Sequence, residues 1–145
     1  MTAPYVCGYT DIDIYALAHK MTAGSLGGTA MDAATFFRAL ADTTRLRCLA
    51  LLHAEGELCV CELTYALDLA QPKISRHLGQ LRQAGVVEVH RHGAWMHYRL
   101  NPDLPDWARA VVDDWARTAA AAAPYADDRR ALHGMPDRPE NTCCA

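Results

Sequence analysis

The chain has 145 residues, 51% of them apolar and 21% charged, with a formal net charge of −3. This composition fits one small folded domain with length to spare at both ends, and it excludes a largely disordered chain. No apolar run approaches the roughly 18 residues of a membrane span, and no basic stretch with a following apolar core opens the chain, so a cytoplasmic location without membrane attachment is expected.

Residues 1–31 carry no repeating pattern and include Gly24-Ser25-Leu26-Gly27-Gly28, which reads as part of a flexible arm. Asp32 is placed to cap a short helix to about Ala41, with Phe36, Phe37 and Leu40 on its apolar side. Asp42 and Thr43 are capping candidates for a second helix, in which Leu46, Leu49, Ala50 and Leu52 recur at helical spacing until Gly56 stops it. After a short Glu57-Leu58 connection, Val60 to Leu67 predicts a third helix, broken by Asp68-Leu69-Ala70. Gln71-Pro72 then opens a fourth, because proline suits a first helical turn. That helix keeps Ile74, Leu78 and Leu81 on one side and ends at Gly85, which makes the pair a helix-turn-helix pattern.

Val86 to Val89 and Trp95 to Leu100 read as two strands around Gly93, a hairpin in the place of a wing. A last helix from about Pro105 to Ala123 repeats Trp107, Val111 and Trp115 every four residues. Residues 124–145, with Pro136, Pro139 and a terminal Cys143-Cys144 pair, read as a mobile tail. The expected architecture is mainly α with a small β-hairpin: a winged helix-turn-helix domain over residues 32–123, between an arm and a tail.

The net charge argues against a nucleic-acid binder, but its distribution argues for one. Between Gln71 and Arg99 there are five basic residues, Lys73, Arg76, Arg82, Arg91 and Arg99, against the single acid Glu88, a local +4 that leaves −7 for the rest. Double-stranded DNA is the expected partner, met by Gln71, Lys73, Ser75, Arg76, His77 and Gln80 on the fourth helix. Arg76 and Gln80 are the candidates for base edges, since guanidinium and amide groups make paired contacts there. Lys73 and Ser75 suit phosphates, and His77 suits either a DNA contact or packing. Arg91 and His92 on the wing would reach the backbone or the minor groove. The Trp107, Val111 and Trp115 stripe, with Phe36 beside it, is the candidate seam of a homodimer reading an inverted repeat.

In a cytosolic chain the six cysteines suggest thiol chemistry before disulfides, and Cys48, inside Leu46-Arg47-Cys48-Leu49, reads as core. The succession Phe37-Arg38-Ala39-Leu40-Ala41-Asp42, Thr44-Arg45-Leu46-Arg47, Glu57-Leu58-Cys59-Val60-Cys61-Glu62-Leu63 and Gln71-Pro72-Lys73-Ile74-Ser75-Arg76-His77-Leu78 resembles the ArsR/SmtB family of metal-responsive repressors over about residues 32–117. The resemblance implies a repressor released from its operator when Cys59 and Cys61 bind trivalent arsenic or antimony. Cadmium and lead sensors share the same element and are the rival reading.

In the closest arsenic type a third cysteine lies five residues after the first, where this chain has Thr64. The third donor is open among Cys7 on the arm, as in a resembling cadmium sensor, Cys143 or Cys144 on the tail, and a small external thiol or water; Cys7 is favoured, with the tail pair as a separate capture site. The family's zinc site on the last helix is not carried over, because Asp106, Asp113 and Asp114 have no histidine beside them before His133.

Arsenite is a soft centre that favours thiolates. Residues two apart on a helix point about 200° from one another, so the thiols converge only if Cys59 lies at or before the helix start. His90, His92 and His97 have no thiol or carboxylate cluster next to them in sequence, and a structural or surface role is expected for them. A thiol redox or metal-trafficking protein is the reading from another class. The first would ordinarily have two residues between its cysteines and a thioredoxin-like alternation of strands and helices, and the second leaves the helix-turn-helix unused. No enzymatic chemistry is expected.

Overall fold

The computed structural model describes residues 31–138 apart from Ala94, so the expected arm and Cys7, Cys143 and Cys144 lie outside the described residues. Asp32 accepts a hydrogen bond from the Thr35 amide at 2.8 Å and begins α1 (Ala33–Leu40). Asp42 accepts one from the Arg45 amide at 2.9 Å and begins α2 (Thr43–Glu55). Each cap satisfies an amide that the first turn of a helix leaves unpaired. Gly56, at φ 85°, closes α2 in a conformation that favours glycine.

β1 (Glu57–Cys59) follows at once, where only a connection is expected from the sequence. α3 (Val60–Leu67) ends at Asp68 in the left-handed region, and α4 (Gln71–Gln83) carries Pro72 in its first turn. β2 (Val87–His92) and β3 (Trp95–Leu100) form the hairpin, with β1 added antiparallel to β3 in the order β1-β3-β2. The wing is therefore rooted in a three-stranded sheet. Leu58, fully buried, pairs with Tyr98 and anchors the short strand. Leu49, Leu52, Leu63, Ile74, Leu78 and Leu81 join the same core at 0–1% exposure, each contributing on the order of 1.5–3 kcal/mol by burial. No described helix is long and apolar enough to cross a membrane.

α5 (Asp106–Ala119) buries Ala108, Val112 and Ala116, one residue round from the expected stripe. Trp107, Val111 and Trp115 flank that face. Trp107 is 40% exposed and meets Phe36 edge-on at 5.1 Å, whereas Trp115 meets Tyr125 edge-on at 5.4 Å. Phe36 is corrected from a seam residue to a core residue, since it has no exposed surface from which to touch a partner. Its neighbour Phe37 is 52% exposed.

The tail expected to be mobile from residue 124 instead carries α6 (Tyr125–His133). Leu132 is fully buried, and the equally hidden Asp128 receives Arg47 Nε at 2.7 Å and Nη2 at 2.6 Å. Tyr125 against Trp115 and His133 beside Glu55 add to these contacts, all with residues distant in the chain, and they leave too little apolar periodicity to read in the sequence.

Candidate functional site

Cys59 is at once the last residue of β1 and the residue capping α3, with extended backbone (φ −84°, ψ 165°). That bend cancels the angular divergence of residues two apart on a helix. The Sγ atoms of Cys59 and Cys61 lie 2.6 Å from one another, Cys59 buried and Cys61 partly exposed. The pair thus stands at the positive end of α3, where negative charge is favoured. Cys48 is not brought to it; burial pushes its thiol up to about 12, which keeps it protonated and inert.

Glu62 ties this junction together. One carboxylate oxygen accepts from the Cys59 amide at 2.8 Å, and the other accepts from Arg138 Nε at 3.0 Å. Burial raises the Glu62 pKa against the pull of both donors. Arg138 also donates to Glu55 at 3.0 Å, and Glu55 lies 2.8 Å from His133 Nε2. The last described residue is thereby fixed beside the cysteine pair, a contact no local pattern announces. Thr64, at helical spacing i+3 from Cys61, has a buried Oγ1 with no hydrogen-bond partner among the described residues.

α3 packs against α4, so the cysteine junction is one helix away from the recognition surface. On α4, Lys73, Arg76 and Gln80 are exposed, and Gln71 and Ser75 are half-buried. His77 has its side chain 14% exposed and Nδ1 3.5 Å from Asp42, which favours packing, one of the two roles its position suits, over a DNA contact. Burial lowers its pKa, against the attraction of Asp42. Arg45 donates to Gln80 Oε1 and also to the Ala39 and Arg38 carbonyls, so α2 orients the amide that is the candidate for base contact. That role is not visible in the sequence, where Arg45 and Gln80 stand 35 residues apart.

On the wing Arg91 and His92 are exposed, with Arg91 Nε donating to the Gly93 carbonyl at 2.7 Å. Arg99 is paired with Glu88, and Lys73, Arg76 and Arg91 are further exposed cations of this surface.

A helix-turn-helix with an exposed basic second helix, followed by a sheet whose hairpin extends beside it, defines a winged helix-turn-helix protein. The chain belongs to the arsR family of bacterial regulatory proteins, whose pattern matches residues 42–89. It is 44% identical over 110 residues to the arsenic resistance transcriptional regulator ArsR2 of Pseudomonas putida, covering 74% of this chain and 94% of that protein. It is 58% identical over 76 residues to ArsR1 of the same organism, covering 52% of this chain and 59% of the relative, so this match spans less than two thirds of ArsR1. Among solved structures, a homodimeric winged helix-turn-helix DNA-binding domain from Mycobacterium bovis superposes with a TM-score of 0.50 at 28% identity, covering 80% of this chain and 95% of that one.

Proposed function

We propose that this chain is an arsenite-responsive transcriptional repressor, a cytoplasmic homodimer that holds operator DNA and releases it when trivalent arsenic or antimony binds Cys59 and Cys61. The observation that carries the reading is the convergence of two sulfurs, 2.6 Å apart, at the start of the helix that packs against α4. Binding draws the start of α3 into a new arrangement and shifts the dimer away from its DNA-holding state. A coupling of about 3 kcal/mol weakens operator binding more than 100-fold. The arsenic named in the relatives ArsR1 and ArsR2 supports this inducer over the cadmium or lead alternative. The exposed residues Lys73, Arg76, Gln80, Arg91 and His92 are the DNA contacts, with Gln71 and Ser75 at the edge.

Thr64 supplies no soft donor, so the third donor is Cys7, Cys143, Cys144 or a small external thiol or water. Arg138 favours the tail pair. It is fixed to Glu62 only five residues before Cys143, and five residues reach about 17 Å when extended.

The deciding experiment is operator release measured against arsenite, antimonite, cadmium, lead and zinc, for the wild type and for Cys59→Ser/Cys61→Ser. Release by arsenite at the lowest concentration, lost in the double variant with DNA binding retained, is expected. Normal arsenite release by the double variant overturns the sensor site.

A further inference from the structure

The sheet gathers residues that are far apart in the chain. β1 pairs with β3 so that Glu57 faces Arg99 and Cys59 faces His97, and β2 pairs with β3 so that His90 faces His97 and His92 faces Trp95. Since side chains alternate along a strand, Glu57, His90, His92 and His97 share one face. Glu57 Oε1 lies 2.8 Å from His90 Nε2 and 2.9 Å from His97 Nδ1. The His92 ring is 5.0 Å from that of His90 and 5.4 Å from that of His97, centroid to centroid. The absence of a carboxylate beside these histidines in sequence is thus reversed by β1.

We propose that this face of the wing is a binding site for a divalent cation of the zinc class, with Glu57, His90 and His92 as ligands and His97 beside them. One donor atom from each of the three ligands already lies within 4.8 Å of the others. Bonds of about 2.0–2.1 Å in a tetrahedral arrangement need donors about 3.4 Å apart, a closure that rotation of the exposed His92 supplies. His97 or water completes the set. A glutamate hydrogen-bonded to two histidines would explain Glu57 alone, but it leaves a buried nitrogen on each ring, His90 Nδ1 and His97 Nε2, with no partner.

The donor set selects the ion. Imidazole nitrogen with one carboxylate suits zinc, cobalt or nickel; calcium and magnesium prefer oxygen alone, and arsenite prefers sulfur. The site is therefore chemically separate from the cysteine pair, although Cys59 and His97 occupy the same rung of the sheet.

The test uses the full chain with Cys7, Cys59, Cys61, Cys143 and Cys144 replaced by serine, so that no accessible thiol competes, titrated with Zn²⁺ by equilibrium dialysis and with Co²⁺ by visible absorption. One ion per chain is expected, with binding weakened at least tenfold by His92→Gln and by His90→Gln. In parallel, X-ray absorption on the zinc-loaded wild type with its thiols alkylated should show nitrogen and oxygen donors only. Absence of a bound ion in both proteins, or affinity unchanged by both histidine substitutions, overturns the proposal.

Discussion

Arg47 and Asp128, separated by 81 residues, form a two-pronged ion pair that joins α2 to α6, and Arg47 also donates to the Leu67 carbonyl at the end of α3. Asp128 is only 4% exposed in its side chain and Arg47 20%. Asp128→Ala leaves a largely buried guanidinium without its counter-charge, at a cost of about 2–4 kcal/mol. Thermal unfolding should fall by roughly 10 °C, and limited proteolysis should then cut first within α6. A variant as stable as the wild type would remove α6 from the cooperative fold.

Arg76→Ala should weaken binding to the operator by about 10- to 100-fold while leaving dimer mass and helicity unchanged, because an exposed guanidinium on α4 is lost without touching the core. Lys73→Ala should instead weaken all DNA equally and lower the salt slope by about one. Sequence-specific binding retained by Arg76→Ala would show that another element reads the bases.

The large exposed apolar side chains among the described residues are Phe37 and Trp107, whose rings are 6.2 Å apart. They are the centre of the proposed two-fold seam, since two aromatic rings left in water mark a contact surface. Phe37→Glu/Trp107→Glu should give a folded monomer in sedimentation, with operator binding lost along with the second half-site. A dimer persisting at micromolar concentration would move the seam elsewhere.

Much of the fold is legible in the sequence because its signals are local. Asp32, Asp42, Gly56 and Pro72 each act within a few residues, and the thiol convergence follows from where α3 begins. β1 and α6 are not legible. Three residues are too few to show alternation, and α6 is held by Leu132 and by an ion pair to a residue 81 positions earlier. Cys59 and Cys61 announce themselves by spacing, whereas Glu57 reaches His90 only through the register of a strand that the sequence reading treats as a connection.

Thr64→Cys should complete a three-thiol set at the start of α3, since Cys61 and Thr64 are three residues apart on one face of the helix that Cys59 caps. Arsenite affinity should rise at least tenfold and become independent of Cys7, Cys143 and Cys144, as read by titration in a chain where those three are serine. Unchanged affinity would place position 64 out of reach of the pair.

His77 gives the fold an acid sensitivity. Burial holds its folded pKa below the ordinary 6.5, with Asp42 pulling the other way and Arg45, Lys73 and Arg76 adding to the depression. A depressed folded value means that the stability contributed by the neutral ring is whole above 6.5 and is lost as the pH falls through the folded value. Unfolding free energy should therefore decline as the pH falls below about 6.5, and His77→Gln should flatten that decline. Identical slopes for the two proteins would assign the acid response to other groups.

Cys59 closes a strand and opens a helix without an intervening residue. Such a joint has no slack. Where a loop would dissipate a shifted sulfur in a few soft torsions, this junction must pass the displacement in two directions at once, along α3 towards α4 and across the rung to His97 in the wing. The recognition helix and the wing are consequently two loads on one stiff lever, and loss of grip at one is accompanied by loss at the other. Their separate contributions to DNA affinity then multiply, so in the proposed release a small movement at the thiols would lower operator affinity through both elements at once.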